Sequence, residues 1–350
     1  MKIHTLELVN FRNHKNVKID FGGTSTIILG QNGTGKTNIL EAISMLSTAK
    51  SLRADFDREV ISHEENHTHI SAGVEPNGDP VLLEISIAKN LQFENASSKK
   101  VKLNKVAKSL NNFIGVFNTV LFTPHDVEIF TNSPSVRRKH LDYLFFQVDK
   151  EYKKATTEYT KALRQRNKLL ERIRDFGMGK DQMDFWTEKI IKAGQIIQSK
   201  RDDFFAFASE SVSRHGKKLD SPNTTLEIVY DKNEISEARI ESYHSKEFSA
   251  ARTLIGPHRD DFHINFNAHD MAKFGSRGQK RATVLALKLC EIDFIHESVG
   301  KRPVLLLDDI FSELDEKHQN SILNIVDMQQ TIITSANKDN KNLGLNLIEI

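Results

Sequence analysis

The sequence has little of what would mark a secreted, membrane-spanning or strongly charged protein. Its 350 residues contain one cysteine, Cys290, so no disulfide can form within the chain, and a reducing compartment fits. No apolar run reaches the roughly 18 residues of a membrane-spanning helix, and residues 1–4 lead into a strand pattern, not a signal peptide. Lysine and arginine number 49 against 47 acidic residues, so any affinity for a polyanion must come from local patches. These absences favour a cytoplasmic protein without a membrane partner.

The chain does contain a phosphate-binding loop. Residues 30–37 read Gly-Gln-Asn-Gly-Thr-Gly-Lys-Thr and match the pattern G-x-x-x-x-G-K-[ST] at every fixed position. A β-prone run precedes the loop and a helical apolar pattern follows it, which is the context that the motif requires. Lys36 would reach the β- and γ-phosphates of ATP, and Thr37 would offer its hydroxyl to Mg²⁺. The predicted nucleotide contacts are Gly30, Gln31, Asn32, Gly33, Thr34, Gly35, Lys36, Thr37 and Asn38.

Two further segments predict the rest of a nucleotide site. Residues 304–307 form a buried-strand run that is followed by Asp308 and Asp309. A carboxylate at the carboxyl end of a central strand can reach Mg²⁺ beside the loop, so we assign Asp308 to the metal and Asp309 to polarising the attacking water. The segment 276–279, Ser-Arg-Gly-Gln, precedes a helical pattern and could form a second anion site. It also fits an ordinary N-cap and turn, and both interpretations stay open.

The chain changes texture along its length. Short β-prone runs and the loop occupy residues 1–133, whereas residues 151–174 lack proline and glycine and repeat apolar residues at alternating spacings of three and four. A second stretch of this kind follows a glycine-containing turn. The pattern predicts an antiparallel helical hairpin, with two ordinary amphipathic helices folded onto the main core as the alternative. We expect an α/β fold in which a split domain, 1–133 and 250–350, carries a helical arm at 134–249.

Together these segments resemble the ABC-type ATPase head of the SMC-like class. The phosphate loop, Ser-x-Gly-Gln before a helix, Leu-Leu-Leu-Asp-Asp and Ser-Glu-Leu-Asp at 312–315 occur in the order of that class. The resemblance implies a P-loop head of mixed β-sheets with flanking helices and an inserted arm. It also implies a homodimer that closes on ATP. The residues given a role by this resemblance are Ser276, Gly278 and Gln279, which would complete the site of the other copy, Arg12 near the nucleotide, and Asp315 at the dimer interface.

Four segments resemble the RecF family of bacterial recombination mediators. They read Leu-Val-Asn-Phe-Arg-Asn-His at 8–14, Phe-Thr-Pro-His-Asp at 122–126, Pro-Ser-Val-Arg-Arg-Lys-His-Leu-Asp at 134–142 and Gly-Pro-His-Arg-Asp-Asp at 256–261. The resemblance implies a nucleoid-associated, ATP-dependent protein with slow ATPase that binds duplex DNA or single/double-strand junctions. Its implied partners are RecR, RecO and a RecA-type recombinase, which would be loaded at gaps.

Some positions depart from the pattern of many such heads. Asp309 stands where glutamate is common, and its shorter side chain holds water less well, so slow turnover is expected. Ser335 stands where many heads have a histidine after the last core strand. No glutamine fits the usual Q-loop, and His125 or Asp126 occupies that region.

Basic clusters are the candidate DNA contacts. Residues 150–174 contain nine lysines or arginines against three acids, and Lys161, Arg164 and Lys168 are the predicted contacts on the arm. A second lysine cluster at 99–108 contains no acid. Each cluster also fits a solvated face, and the absence of a base-reading motif predicts sequence-independent binding.

Several roles stay open at this level. Arg137 and Arg138 could serve DNA, the dimer interface or the base of the arm. Segment 256–261 could be misread as a metal cluster, but it lacks further spaced histidine or cysteine ligands, so a salt-bridged structural loop is favoured. A transport ATPase subunit, a chromosome-tethering head and a P-loop kinase are the competing classes. DNA-stimulated ATPase activity would oppose the first, and a kinase would need an acceptor site.

Overall fold

The computed structural model describes residues 1–90, 92–93, 96–310, 326, 328–337 and 344–350. The predicted interface segment 312–315, with Asp315, lies outside the described residues. The chain divides into two compact units. The head unit comprises Met1–Val127 and Arg281–Ile350, and the arm unit comprises Glu128–Lys280.

The described residues form groups of successive strands separated by helices, with a run of four α-helices between residues 128 and 219 in the middle of the chain. The strands are β1 (Lys2–Phe11), β2 (His14–Asp20), β3 (Thr26–Leu29), β4 (His67–Glu75), β5 (Val81–Lys89), β6 (Ser97–Leu103), β7 (Val106–Lys108), β8 (Thr119–Phe122), β9 (Leu226–Asp231), β10 (Asp261–Phe266), β11 (His269–Asp270), β12 (Val304–Asp308), β13 (Thr331–Ser335) and β14 (Asn346–Glu349). The α-helices are α1 (Lys36–Thr48), α2 (Leu110–Phe113), α3 (Glu128–Thr131), α4 (Pro134–Val148), α5 (Lys150–Phe176), α6 (Met183–Leu219), α7 (Glu237–Ala250), α8 (Met271–Phe274) and α9 (Arg277–Val299). Short 3₁₀ helices span Asp57–Val60, Pro124–Val127, Lys180–Gln182 and Pro257–Arg259.

The head unit contains one antiparallel and one parallel sheet. The antiparallel sheet has the order β2-β1-β4-β5-β6-β7, and the parallel sheet has the order β14-β3-β13-β12-β8. Strands β3, β8, β12 and β13 are buried along their whole length, as parallel strands covered on both faces should be. Helix α1 follows β3 and packs against β8, β12 and β13. The carboxyl ends of β3, β13 and β12 therefore lie side by side, where parallel α/β sheets bind ligands.

The arm unit is built on the hairpin of α5 and α6. Gly177 ends α5 in the left-handed conformation, with φ of 69°, and α6 packs along α5. The residues that carry the predicted apolar repeat of α5 are all buried; they are Tyr152, Ala155, Tyr159, Ala162, Leu169 and Ile173. Arg166, which interrupts the repeat, is buried as well. Its guanidinium donates to Glu247 (2.6 Å) and Thr253 (2.8 Å), so Arg166 is buried together with the carboxylate that neutralises it.

The arm unit extends further than the predicted arm, which ends at residue 249. Strand β10 pairs antiparallel with β9 and β11 to form a three-stranded sheet, and α8 packs on β10. This pairing keeps residues 250–280 in the arm unit, although their sequence texture was predicted to mark the return of the head. No helix among the described residues is long and apolar enough to cross a bilayer.

Candidate nucleotide-binding site

The phosphate loop joins β3 to α1 in the head unit. Gly35 is the N-cap of α1 and has φ of 102°, a conformation that side chains rarely adopt. The Lys36 ammonium donates to the carbonyl oxygens of Gly30 (2.6 Å) and Gln31 (2.9 Å). The Lys36 side chain is buried against the loop, so its charge lies beside the first turn of α1. A cation and the N-terminus of a helix are together suited to bind phosphate.

Three adjacent strands bring a carboxylate and two hydroxyls together next to this loop. Thr37 Oγ1 donates to Asp308 Oδ1 at 2.9 Å, and Thr334 Oγ1 donates to the same oxygen at 2.8 Å. Asp308 ends β12, Thr334 lies on β13 between β12 and β3, and Thr37 follows β3. Asp308 is buried. The structure therefore brings together the predicted metal residues Thr37 and Asp308 and adds Thr334, which the sequence analysis did not assign.

Asp309 follows β12 in a left-handed conformation with φ of 47°. Its backbone N–H donates to Thr334 O (3.2 Å) and to Thr334 Oγ1 (3.0 Å). Aspartate tolerates left-handed backbone because its short polar side chain can hydrogen-bond locally, whereas longer residues do so less readily. The turn thus gives a physical reason for aspartate where many heads have glutamate.

Side chains at the turn between β1 and β2 contact the backbone of the phosphate loop. Asn13 Nδ2 donates to Thr34 O at 3.1 Å, and His14 Nε2 lies 3.0 Å from Gly35 O. A Cβ added at Gly35 would lie 2.5 Å from both Asn13 Oδ1 and His14 Nε2. Neither side chain was predicted to have a role, because no spacing rule links residue 13 to residue 34.

A buried glutamate organises the basic residues beside the loop. Glu41 on α1 accepts from Arg12 Nε (3.0 Å) and Arg12 Nη2 (2.6 Å). Arg53 is exposed, and its Nη1 donates to Asn38 Oδ1 (3.0 Å) and Glu41 Oε2 (3.4 Å). Arg12, predicted near the nucleotide, is thus fixed to the helix that begins at the loop. Arg53 is a second cation at this edge, and no sequence signal pointed to it.

The predicted signature segment lies in the arm unit. Ser276 Oγ accepts from Gln279 N (3.2 Å), and Gln279 Oε1 accepts from Ser276 N (2.9 Å), which is the reciprocal pattern of a capping box at the start of α9. Ser276 and Gly278 are exposed, and a Cβ added at Gly278 would meet nothing within 4 Å. In a single copy of the chain the segment therefore forms an N-cap. The exposure of Ser276 and Gly278 leaves it accessible to a further ligand.

Asp126, the candidate for the Q-loop region, is tied to helix α9. Its Oδ1 lies 3.3 Å from the ammonium of Lys288, which also lies 3.5 Å from Glu291 Oε1. Asp126 Oδ2 accepts from the backbone N–H of Thr123 at 2.5 Å. Burial lowers the pKa of Lys288, but the two carboxylates more than offset it, so the pKa lies above its ordinary value. Lys288 is a buried cation that fixes this segment to α9.

Segment 256–261 is a salt-bridged loop within the arm unit. Asp260 is buried and accepts from Arg201 Nη1 (2.9 Å) and from the hydroxyl of Tyr230. Asp261 accepts from Arg137 Nε at 2.6 Å and Nη2 at 2.8 Å. Arg138 donates to Asp260 O at 2.9 Å. Both arginines therefore bind this loop within the arm unit. Within the described ranges, no group of three or more His, Cys, Asp or Glu residues is arranged to hold a metal ion.

The predicted DNA contacts lie on the solvent face of α5. Lys161, Arg164 and Lys168 are all exposed, and their spacing of three and four places them on one side of the helix. In the second cluster, Lys99 is bound to Asp57 (2.8 Å) and to Ala49 O (2.6 Å), so it supports the fold. Lys100, Lys105 and Lys108 are exposed.

Comparison with known proteins bears on this arrangement. The chain matches the family model described as RecF/RecN/SMC N terminal domain over residues 2–350. The DNA replication and repair protein RecF of Bacillus thuringiensis (strain Al Hakam) is 36% identical over 355 residues, covering 97% of this chain and 93% of that protein. RecF of Bacillus cereus (strain B4264) matches with the same identity and the same coverage.

Solved structures are similar over the same length. The ATP complex of the recombination mediator protein RecF in the RecFOR pathway matches with a TM-score of 0.88 and 32% identity, covering 96% of this chain and 92% of that one. An Smc head bound to the C-winged helix domain of ScpA shares the fold, with a TM-score of 0.52 and 18% identity. The fold and the site thus define an ABC-type ATPase head of the SMC-like class, as the sequence predicted. Within this class the chain belongs to the RecF family, and the predicted family is confirmed.

Proposed function

We propose that this protein is an ATP-dependent DNA-binding protein of recombinational repair that dimerises on ATP and hydrolyses it slowly. The observation that carries the proposal is the joining of Thr37, Asp308 and Thr334 through one carboxylate oxygen beside Lys36. A phosphate loop with its lysine, a metal carboxylate and a hydroxyl ligand is the minimum that phosphoryl transfer to water requires from a protein of this class. The ATP-bound RecF structure supports ATP as the nucleotide.

The residues beside the loop fit Mg²⁺. Thr37 Oγ1 and Asp308 Oδ1 are hard oxygen donors 2.9 Å apart, and Mg²⁺ is usually held by one or two protein oxygens, phosphates and water. Thr37 and Asp308 would hold the ion, with Thr334 orienting the carboxylate. An ion held there would supply positive charge to neutralise the phosphates.

The remaining roles follow from chemistry at named atoms. Lys36 holds the β- and γ-phosphates, and Asp309 accepts a hydrogen bond from the attacking water and orients it. The other predicted contacts, from Gly30 to Asn38, supply the backbone cradle, and Arg12 fixes α1 through Glu41. Hydrolysis is slow because Asp309 reaches less far than a glutamate would.

Ser276, Gly278 and Gln279 act on the nucleotide of a second copy. The exposure of Ser276 and Gly278 supports this role, because it leaves the N-terminus of α9 accessible to a γ-phosphate. ATP then joins two incomplete half-sites in a symmetric homodimer.

DNA and the repair proteins are the further partners. Lys161, Arg164 and Lys168 contact backbone phosphates without reading sequence, and binding weakens as salt rises. RecR, RecO and a RecA-type recombinase are the expected protein partners, in the cytoplasm at the nucleoid. The name of the pathway in the similar RecF structure supports RecR and RecO.

Sedimentation with and without ATP tests this function. Wild type should shift from monomer to dimer when ATP and Mg²⁺ are added. Lys36→Met should lose nucleotide binding and stay monomeric, because the charge that holds the phosphates is gone. Ser276→Arg should bind ATP normally but stay monomeric. Normal dimerisation of Ser276→Arg would show that Ser276 does not complete the partner's site.

A further inference from the structure

Exposed apolar side chains flank each half of the proposed site. Phe274 is 70% exposed and lies two residues before Ser276 in the arm unit. Leu52 and Phe56 are 45% and 47% exposed and lie on either side of Arg53 in the head unit. Single exposed apolar side chains are common on protein surfaces. Here, however, each flanks one of the two surfaces that a second copy would cover.

Phe274 is presented on a fixed backbone. The Asp270 side chain caps α8 by accepting from Ala272 N at 2.8 Å, and Gly275 N donates to Met271 O at 3.2 Å. Lys280 Nζ donates to Ala272 O at 3.0 Å, which ties α8 to the first turn of α9. The Phe274 ring meets the edge of His269, with 6.0 Å between ring centroids. An aromatic ring held outward in this way loses little conformational entropy on binding.

Leu52 and Phe56 lie in the segment that follows α1 in the chain. Ser51 Oγ donates to Glu41 (2.5 Å) and accepts from the backbone N–H of Arg53 (2.9 Å). Arg53 in turn donates to Asn38, the residue after Thr37. Phe56 O accepts from Glu59 N at 3.0 Å. The segment that carries both apolar side chains is therefore anchored to the start of the nucleotide helix.

We propose that Phe274 of one copy packs against Leu52 and Phe56 of a second copy when ATP joins them. The inference rests on the proposed function, because Ser276 reaches the other copy's nucleotide only if its neighbour Phe274 approaches the surface beside that phosphate loop. Lys273 and Arg277 are near Phe274 in the sequence and are exposed, so the same approach brings two cations toward the triphosphate. Two-fold symmetry forms the contact twice, and the apolar packing adds affinity beyond that of the phosphates.

Alanine variants test the contact by sedimentation in saturating ATP and Mg²⁺. Phe274→Ala and the double variant Leu52→Ala with Phe56→Ala should each raise the dimer dissociation constant by at least about tenfold, with unchanged ATP binding. Phe176→Ala on the arm and Phe93→Ala on the head are matched controls, because these rings are 70% and 65% exposed and lie elsewhere in the sequence. Both controls should dimerise as wild type does. Normal dimerisation of Phe274→Ala would overturn the proposal.

Cysteine cross-linking tests the pairing itself. The single native cysteine, Cys290, is buried, so new surface cysteines can be addressed selectively. At a protein concentration well above the raised dissociation constant, a variant with Phe274→Cys and Phe56→Cys should form a covalent dimer with a short bismaleimide when ATP is present, and far less without ATP. Phe176→Cys with Phe56→Cys should not. A dimer that forms in ATP but cross-links no better than this control would contradict the proposal.

Failure of the contact can be told apart from failure of the proposed function. If Ser276→Arg abolishes the dimer and Phe274→Ala does not, the composite site stands and the apolar contact is wrong. If wild type stays monomeric in ATP, both are wrong.

Discussion

Gly35 holds the phosphate loop in a backbone conformation that residues with a side chain rarely adopt. Its φ of 102° is strained for a side chain, and a Cβ would approach Asn13 and His14 to 2.5 Å. Gly35→Ala should therefore lower ATP affinity by at least about tenfold, because the loop must change its backbone conformation and move away from Asn13 and His14. Titration with a fluorescent ATP analogue measures this affinity.

Gly33→Ala is the matched control for that substitution. Gly33 has a similar φ of 88°, but a Cβ there would meet nothing within 4 Å. Its loss of affinity should reflect strain alone and be the smaller of the two. Equal losses in the two variants would mean that contact with Asn13 and His14 contributes nothing to the shape of the loop.

Asp309 is expected to act in hydrolysis and not in binding. Asparagine also tolerates the left-handed backbone found at this position, so Asp309→Asn should bind ATP as wild type does. Its turnover should fall at least about a hundredfold, because the amide is a poor acceptor for the proton of the attacking water. Phosphate release at saturating ATP gives the rate. Turnover within about twofold of wild type would remove Asp309 from the reaction.

Some residues of the site could be predicted from the sequence, and others could not. Lys36, Thr37 and Asp308 were predictable because a contiguous motif and a strand end fix both their residue type and their place. Asn13 and Arg53 were not, because their contacts are made through space to a backbone carbonyl and a side-chain amide. No periodicity or spacing encodes such contacts.

The arm unit contains a histidine that should make its stability depend on pH. Tyr159 OH donates to His258 Nδ1 (2.7 Å), and His258 Nε2 donates to Thr253 O (3.2 Å), so the neutral ring satisfies both partners. Burial lowers the pKa of His258 to about 4 from an ordinary 6.5. His258 therefore binds a proton below about pH 6.5 in the unfolded chain, but only below about pH 4 in the folded chain. Stability is present in full above pH 6.5 and is lost as the pH falls toward 4.

Between pH 7.5 and pH 5 this histidine should cost the arm about 1–2 kcal/mol of unfolding free energy. Urea unfolding followed by the fluorescence of Trp186, the single tryptophan, reports on the arm unit. His258→Gln should be less stable at pH 7.5 but should lose less on acidification than wild type. An identical pH dependence in both proteins would contradict the buried neutral ring.

The basic face of α5 should govern affinity for DNA. Replacing Lys161, Arg164 and Lys168 with glutamate should weaken duplex binding by at least about tenfold at low salt, because cations that displace counterions from phosphates become repulsive. Affinity should also depend less steeply on salt, with the slope reduced by roughly one for each phosphate interaction that is removed. Fluorescence anisotropy at several salt concentrations measures both.

A second triple variant separates position from net charge. Lys192, Lys217 and Lys218 are exposed on α6, and their replacement with glutamate changes the total charge by the same amount. This variant should retain most of the affinity. If both triple variants bind alike, the face of α5 is not the contact surface.

Helices were easier to predict than the unit that contains them. The spacing of apolar residues predicted the hairpin and its buried face, since a repeat of three and four is a local property. Arg166 looked like a break in that repeat, yet it is buried because Glu247, far along the chain, neutralises it. The pairing of β9 with β10 could likewise not be predicted, because nothing in the sequence of either strand specifies its partner.

We expect this protein to work as half of a pair. The head unit carries the phosphate loop and Asp308, and the arm unit carries Ser276 on an exposed capping box. The predicted family and fold class were recoverable from sequence because several motifs kept their order over nearly the whole chain. How two copies would meet depends on their surfaces, which can be read only from the exposed residues of the folded chain.

The structure of the ATP-loaded protein is the most direct test of the composite site. Asp309→Asn should hold ATP long enough for crystals or electron microscopy. We predict a two-fold dimer in which each triphosphate lies on Lys36 and Thr37 of one copy, with Ser276 of the other copy about 3 Å from the γ-phosphate. A triphosphate enclosed by residues of a single chain would contradict the account.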